Sequence, residues 1–140
     1  MRLLGVDFGF QRIGLAVAES SPFAAATRPA LQASGALKKD AEAIAALARK
    51  EEVDRIVVGM PLEPSGLEGR MAQICRKLAA HLVTLGLDVE VTDERLTSVE
   101  ANHNLAEAGL KASRRNKIID SESAILILER YLHEEEAATP

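Results

Sequence analysis

One cysteine, no tryptophan and only 3% aromatic residues occur among the 140 residues of this chain. A single cysteine excludes an internal disulfide, and Cys75, close to Ile74 and Leu78, reads as a buried core side chain rather than a reactive thiol. The scarcity of aromatics limits stacking of single-stranded bases. No apolar run approaches the roughly 20 residues that span a bilayer, and Met1-Arg2 leads straight into a strand-like segment with no signal-peptide architecture. No membrane association is therefore expected, and the expected location is the cytoplasm. The histidines at 81, 103 and 133 are scattered and form no zinc pattern. Excess positive charge is also missing: the net charge is −4, which does not advertise a nucleic-acid binder. The distribution is uneven, however. Residues 111–117 carry Lys111, Arg114, Arg115 and Lys117, whereas Glu134, Glu135 and Glu136 lie near the C-terminus, so a local basic face can coexist with an acidic total.

What is present suits one compact domain. A chain this long buries roughly two-thirds of its unfolded surface, and 47% hydrophobic residues supply a core without disulfide or metal staples. A single domain over residues 1–140 is expected, its last six or so residues a frayed tail. Residues 2–7 (RLLGVD) and 12–18 (RIGLAVA) read as strands joined by a loop short enough for an antiparallel hairpin. Residues 27–33 read as a weak third strand, which Pro29 assigns to an edge. From Leu37 the apolar spacing becomes helical, with Leu37, Ala41, Ile44, Leu47 and Ala48 on one face. DRIVVG (54–59) is a fourth strand, followed by an irregular loop over 59–69 rich in proline and glycine. Leu67, Met71, Ile74, Leu78, Leu82 and Leu85 predict a second helix, ended by Gly86, and LDVEVT (87–92) a fifth strand. Thr97-Ser98-Val99-Glu100 has the pattern of a capping box and opens a helix to about Ala108. A last helix is expected over roughly 120–132. This order predicts an α/β fold with a five-stranded mixed sheet, an antiparallel first hairpin and then parallel strands, flanked by helices.

Three carboxylates fall at element ends in that scheme. Asp7 ends the first strand, Asp93 and Glu94 follow the fifth, and Asp120 opens the last helix. The carboxyl ends of neighbouring parallel strands open onto one crevice, the usual ligand site of an open α/β sheet. Two carboxylates ~4 Å apart repel by about 4 kcal/mol at an effective dielectric near 20. A cluster of three therefore takes up protons or holds a cation. Carboxylate oxygens suit Mg²⁺ or Mn²⁺, and two such ions ~4 Å apart serve phosphodiester hydrolysis. Each acid also has an ordinary reading. Asp7 can form a turn before Gly9, a residue able to take positive φ there; Glu94 can be an exposed loop charge; Asp120 can be an N-cap; and Asp93 can bind local amides.

The segments GVDFGFQRIGLAVAES, VVGMPLEPSGLEG, TDERLTSVEA and NKIIDSESAILILERYL, in that order, closely resemble the YqgF/RuvX family over residues 3 to 132. The resemblance implies a ribonuclease H-like fold and a metal-dependent nuclease. It connects the chain to maturation of the 5′ end of the small-subunit ribosomal RNA precursor and to Holliday-junction resolution. Carried over by position, it makes Asp7, Glu94 and Asp120 the metal ligands and catalytic acids, with two Mg²⁺ or Mn²⁺ ions as cofactors. The chain departs from the family pattern at Phe10 and at Ser123-Ala124, and neither change removes a ligand. No fourth acid is evident: Ser123 stands one turn after Asp120, Glu122 lies elsewhere on the helix, and Glu19 is distant in sequence.

Lys111, Arg114, Arg115 and Lys117 are candidate phosphate contacts, read as a loop beside Asp120, and Arg12 and Arg95 flank the acids. For Arg12 a structural salt bridge is the preferred reading. Phe10 is the aromatic placed to wedge or stack near Asp7. The expected partners are structured RNA, such as a ribosomal RNA precursor, or branched DNA, recognised through backbone and shape. Resolving a junction takes two sites related by a two-fold axis, which leaves a homodimer open. Two rival readings are an ATP-binding protein, for which 140 residues supply no closing second domain, and a ribosome-associated or nucleic-acid-binding protein without catalysis.

Overall fold

A computed structural model describes residues 1–61, 69–93 and 112–138, with the stretches 112–121 and 136–138 described by their backbone alone. Its strands are β1 (Arg2–Phe8), β2 (Arg12–Ser20), β3 (Phe23–Gln32), β4 (Arg55–Met60) and β5 (Val89–Asp93). Its helices are α1 (Leu37–Lys50), α2 (Arg70–Thr84) and α3 (Ala112–Ala138). The sheet order is β3-β2-β1-β4-β5. The pairs β1–β2 and β2–β3 are antiparallel, whereas β1–β4 and β4–β5 are parallel. This is the mixed sheet expected from the short first hairpin and the later helical crossovers.

Alternation along the strands divides the core into two layers. Leu4, Val6, Phe8, Ile13, Leu15, Ile56 and Val58 face α1 and α2, where Ile44, Cys75, Leu78 and Leu82 are fully buried. Leu3, Ala16, Ala18 and Val57 face the other way, against Ala124, Ile127, Leu128 and Tyr131 of α3. Cys75 is a core side chain, as its apolar neighbours imply. On the sheet side of this second layer Gly5, Ala16 and Ala18 stand beside Leu3 and Val57, and α3 lies very close to Gly5. A Cβ added to Gly5 would stand 2.6 Å from the carbonyl oxygen of Ala124 and 2.8 Å from Cγ of Leu128. Only glycine at the centre of β1 admits the helix at this depth.

Several boundaries differ from the sequence reading, each for a physical reason. β3 starts at Phe23 rather than 27, because pairing with β2 from Ser20 onwards recruits the alanines that sequence pattern alone leaves ambiguous. It is an edge strand, with a register irregularity where Pro29 and Ala30 lie opposite Gly14. β5 starts two residues later than expected and takes in Asp93, which pairs with Met60. The last helix begins at Ala112, not near 120, and runs through Ala138, so residues 135–138 of the expected tail are helical. Its first turns lack the apolar periodicity that reveals a helix, and its far end is anchored where Thr92 Oγ1 donates to Glu134 Oε2 (2.8 Å). The helix expected over 97–108 and the loop residues 62–68 lie outside the described residues.

The end of the sheet remote from the strands' carboxyl termini is tied by charge. Glu51, directly after α1, accepts from Arg28 Nε (2.6 Å) and Arg2 Nη2 (3.2 Å), joining β3, β1 and α1. The hydrogen bond from Arg28 holds the Glu51 carboxyl below the ordinary carboxylate range. Arg55 donates to the hydroxyl of Tyr131 (2.7 Å) and to Asp88 (2.8 Å), fastening α3 to the start of β4.

Two outcomes follow. Gly5→Ala forces a methyl group against helix backbone that cannot yield as a side chain would, so it should destabilise by about 1–3 kcal/mol or more in urea unfolding. Glu51 has a folded-state acidity stronger than its unfolded one, so its contribution is present above the unfolded value and disappears as pH falls through the folded one. Thermal melts of Glu51→Gln should therefore lie below those of the parent at pH 7 and converge with them as pH drops below about 4.

Candidate active site

Asp7 is the penultimate residue of β1, half-buried, between the inward-facing Val6 and Phe8 of the opposite layer. Strand alternation therefore puts it on the α3 side of the sheet, in line with Leu3 and Gly5. Its partner across the β1–β2 ladder is Gly14. On the other flank the parallel register runs through Val6–Val58, so Gly59 is the next residue of β4 after that pair. Gly59 in turn pairs with Thr92 of β5. Along this row the aspartate lies between two glycines. Gly9 does not adopt positive φ as the turn reading suggests. Glycine serves there by close approach, since a Cβ would stand 2.8 Å from the carbonyl oxygen of Arg12.

β1, β4 and β5 run parallel and end together at Phe8, Met60 and Asp93. With strands ~4.8 Å apart, Asp7 and the end of β5 are separated by roughly 10 Å along the rim. The end of β5 is held by α3: Thr92 donates to Glu134, and Arg130 Nη1 donates to the carbonyl oxygen of Asp93 (2.9 Å). The same helix covers Gly5. One helix thus spans the sheet face on which Asp7 stands and fixes the strand that leads into Glu94.

The structure brings only part of the predicted site into view. Glu94, Arg95 and Lys111 lie outside the described residues. Asp120 belongs to α3 and is interior to it, eight residues after its start. The N-cap reading of Asp120 is thereby corrected, because a helix already eight residues long leaves no orphan amide at that point for a cap. Arg114, Arg115 and Lys117 are likewise in the first turns of α3, not in a loop. Among the described residues no group of three His, Cys, Asp or Glu side chains forms a metal-holding cluster. Arg12 opens β2, half-buried, opposite Gln32 of β3. Ser123, where a fourth acid would have helped, is fully buried.

Two residues beside the rim gain meaning from the structure. Phe10 is 64% exposed and meets Phe8 edge-on (centroids 6.5 Å apart), so it is not the core contact that its apolar character allows. Asp40, which sequence reasoning does not single out, is only 4% exposed. Its signal was available: it falls three residues after Leu37 and four before Ile44, on the buried face of α1.

Comparison with known proteins agrees with this architecture. The RuvC protein of Thermus thermophilus superposes with a TM-score of 0.55 in its complex with a Holliday junction substrate, covering 96% of both chains at 17% identity. A second RuvC structure from the same organism gives 0.54 at 14% identity, over 96% of this chain and 97% of that one. These likenesses establish a ribonuclease H-like fold. In sequence, a protein of Anaeromyxobacter sp. (strain K) named "Putative pre-16S rRNA nuclease" is 45% identical over 134 residues, 94% of this chain and 96% of its own. A protein of Myxococcus xanthus with the same name is 38% identical, over 94% of this chain and 87% of its own. The family model described as RuvX, Holliday junction resolvase, matches residues 1–134, and this chain belongs to the RuvX family.

Proposed function

We propose that this protein is a divalent-metal-dependent nuclease that hydrolyses phosphodiester bonds in structured nucleic acid, with a ribosomal RNA precursor or a branched DNA as substrate. The observation that carries this reading is the setting of Asp7. It is a half-buried carboxylate between Gly14 and Gly59 at the carboxyl rim of the sheet, on the face covered by α3. Relatives named as nucleases align over nearly the whole chain.

The donor chemistry fits Mg²⁺ or Mn²⁺. Asp7 offers hard oxygen ligands, the flanking glycines leave lateral room, and Glu94 follows the strand whose end α3 holds. Asp120 is four and seven residues before Ala124 and Ile127, both buried against the sheet. Asp7, Glu94 and Asp120 are thus the residues that would hold the cations. When bound, two such ions supply Lewis acidity to the phosphodiester and neutralise the charge that develops on it. The protein's own contribution is positional. The β1–β2 ladder and the α3 contact at Gly5 fix the depth of Asp7, and Arg130 and Glu134 fix the end of β5. Arg114, Arg115 and Lys117 in the first turns of α3, with Lys111, Arg12 and Arg95, are placed in this reading to draw the phosphate backbone toward the acids.

Asp7→Asn keeps the size of the side chain and removes its charge. It should lower cleavage of a precursor-rRNA leader or a four-way junction at least ~100-fold and weaken Mn²⁺ binding measured by calorimetry in the same protein. Undiminished activity with unchanged Mn²⁺ affinity overturns the assignment. In the parent, the logarithm of nucleic-acid affinity should fall against that of salt with a slope of about −2 to −3. Replacing Arg114 and Arg115 by alanine should flatten that slope by about 2, as read by fluorescence anisotropy.

A further inference from the structure

Beside the rim, on the face opposite Asp7, lies a cavity of about 180 Å³ lined by Phe8, Phe10, Gly35, Leu37, Asp40 and Ile74. Most of this lining is apolar. The exception is the Asp40 carboxylate, whose Oδ1 accepts the amide N–H of Ser34 (2.9 Å). Its Oδ2 has no hydrogen-bond or ion-pair partner among the described residues. The residue is only 4% exposed and lines the cavity, so Oδ2 can take a donor only from what enters there. The cavity therefore asks for a ligand with a flat apolar body and N–H donors along one edge. A phosphate would meet a like charge, and an aliphatic side chain would leave the carboxylate oxygen without a donor.

We propose that this cavity receives one unpaired guanine of the nucleic-acid substrate, stacked on the exposed ring of Phe10 and read by the Asp40 carboxylate. Guanine presents two adjacent donors, N1–H and the N2 amino group, and an ionised carboxylate accepts at both oxygens, each with a lone pair to spare. Adenine and cytosine put an acceptor nitrogen beside their amino group, and uracil flanks its single N–H with two carbonyls, so each would turn an acceptor toward the carboxylate. Phe8, in the cavity wall, is the next residue after Asp7. A base lodged there belongs to a nucleotide near the backbone held at the acids. Structured RNA presents such unstacked bases in its loops and bulges, and aromatic side chains stack on them.

The test is equilibrium binding in chelator, so that no cleavage intervenes. Fluorescence anisotropy compares a hairpin RNA carrying one bulged guanine with the same hairpin carrying bulged inosine, which lacks only the N2 amino group. The parent protein should prefer guanine by roughly fivefold or more. Asp40→Asn retains an acceptor for Ser34 N–H and should abolish the preference, whereas Phe10→Ala should weaken both RNAs about fivefold or more. A parent protein without preference, whether it binds both RNAs alike or neither, overturns the proposal even if Asp40→Asn fails to fold. A preference that survives Asp40→Asn overturns it too. If the two substitutions instead weaken only an arginine-rich peptide, the cavity serves a protein partner and the guanine site falls. This assignment rests on the nuclease reading, yet the two fail separately. Cleavage without guanine preference removes the cavity's role alone, and guanine preference without cleavage leaves it standing while hydrolysis is lost.

Discussion

The contact of α3 with β1 at Gly5 is the constraint on which the rest of the structure depends. With the Ala124 carbonyl 2.6 Å from where a Cβ would be, the helix lies deeper than any other residue there would allow. Ala16, Ala18 and Ala124 belong to the same layer, beside the larger Leu3, Val57, Ile127, Leu128 and Tyr131. The contact also places the later course of α3. From Gly5 the helix reaches Arg55 through Tyr131, and Thr92 and Asp93 through Glu134 and Arg130. A backbone-to-backbone approach in the middle of the sheet thereby sets the geometry of a rim two residues further along β1.

The two ends of the sheet follow different physics. At the remote end, Glu51 pairs with two arginines from separate strands and Arg55 bonds Tyr131 and Asp88, so opposite charges are paired. At the rim, Asp7 and Asp93 stand near the ends of β1 and β5, with Gly59 of β4 between them. Burial pushes the pKa of the Tyr131 phenol above its ordinary value, keeping it neutral beside the Arg55 guanidinium. Paired charges mark the structural end, and Asp7 and Asp93 stand at the end proposed to bind metal and phosphate.

How much was legible in the sequence depends on which residues carry a periodic signal. The strands of the central sheet were, because RLLGVD, RIGLAVA and RIVVG are short apolar runs between turn residues, and the first hairpin fixed their directions. Helix α1 was legible to its first residue from the spacing of Leu37, Ala41 and Ile44. The start of α3 was not, since residues 112–117 carry charges and no apolar stripe. Local pattern therefore placed Asp120 at a helix start when it is interior. Asp7 was found because a carboxylate at the end of an apolar run needs a reason. Asp40 was missed because an acid in the first turn of a helix already has one, and only the structure shows it buried, with Oδ1 bound to Ser34 N–H before the helix and Oδ2 left over.

The order of assembly is a final consequence of the Gly5 contact. β1 and the helix seated on it stand at opposite ends of the element order, so the sheet face bearing Asp7 is covered only once the last of these elements docks. The three-stranded meander β1–β2–β3 needs only local contacts and can form early, but sealing it requires nearly the longest sequence separation the chain contains. A chain in which β1–β2–β3 has formed and α3 has not yet docked therefore carries an unfinished rim.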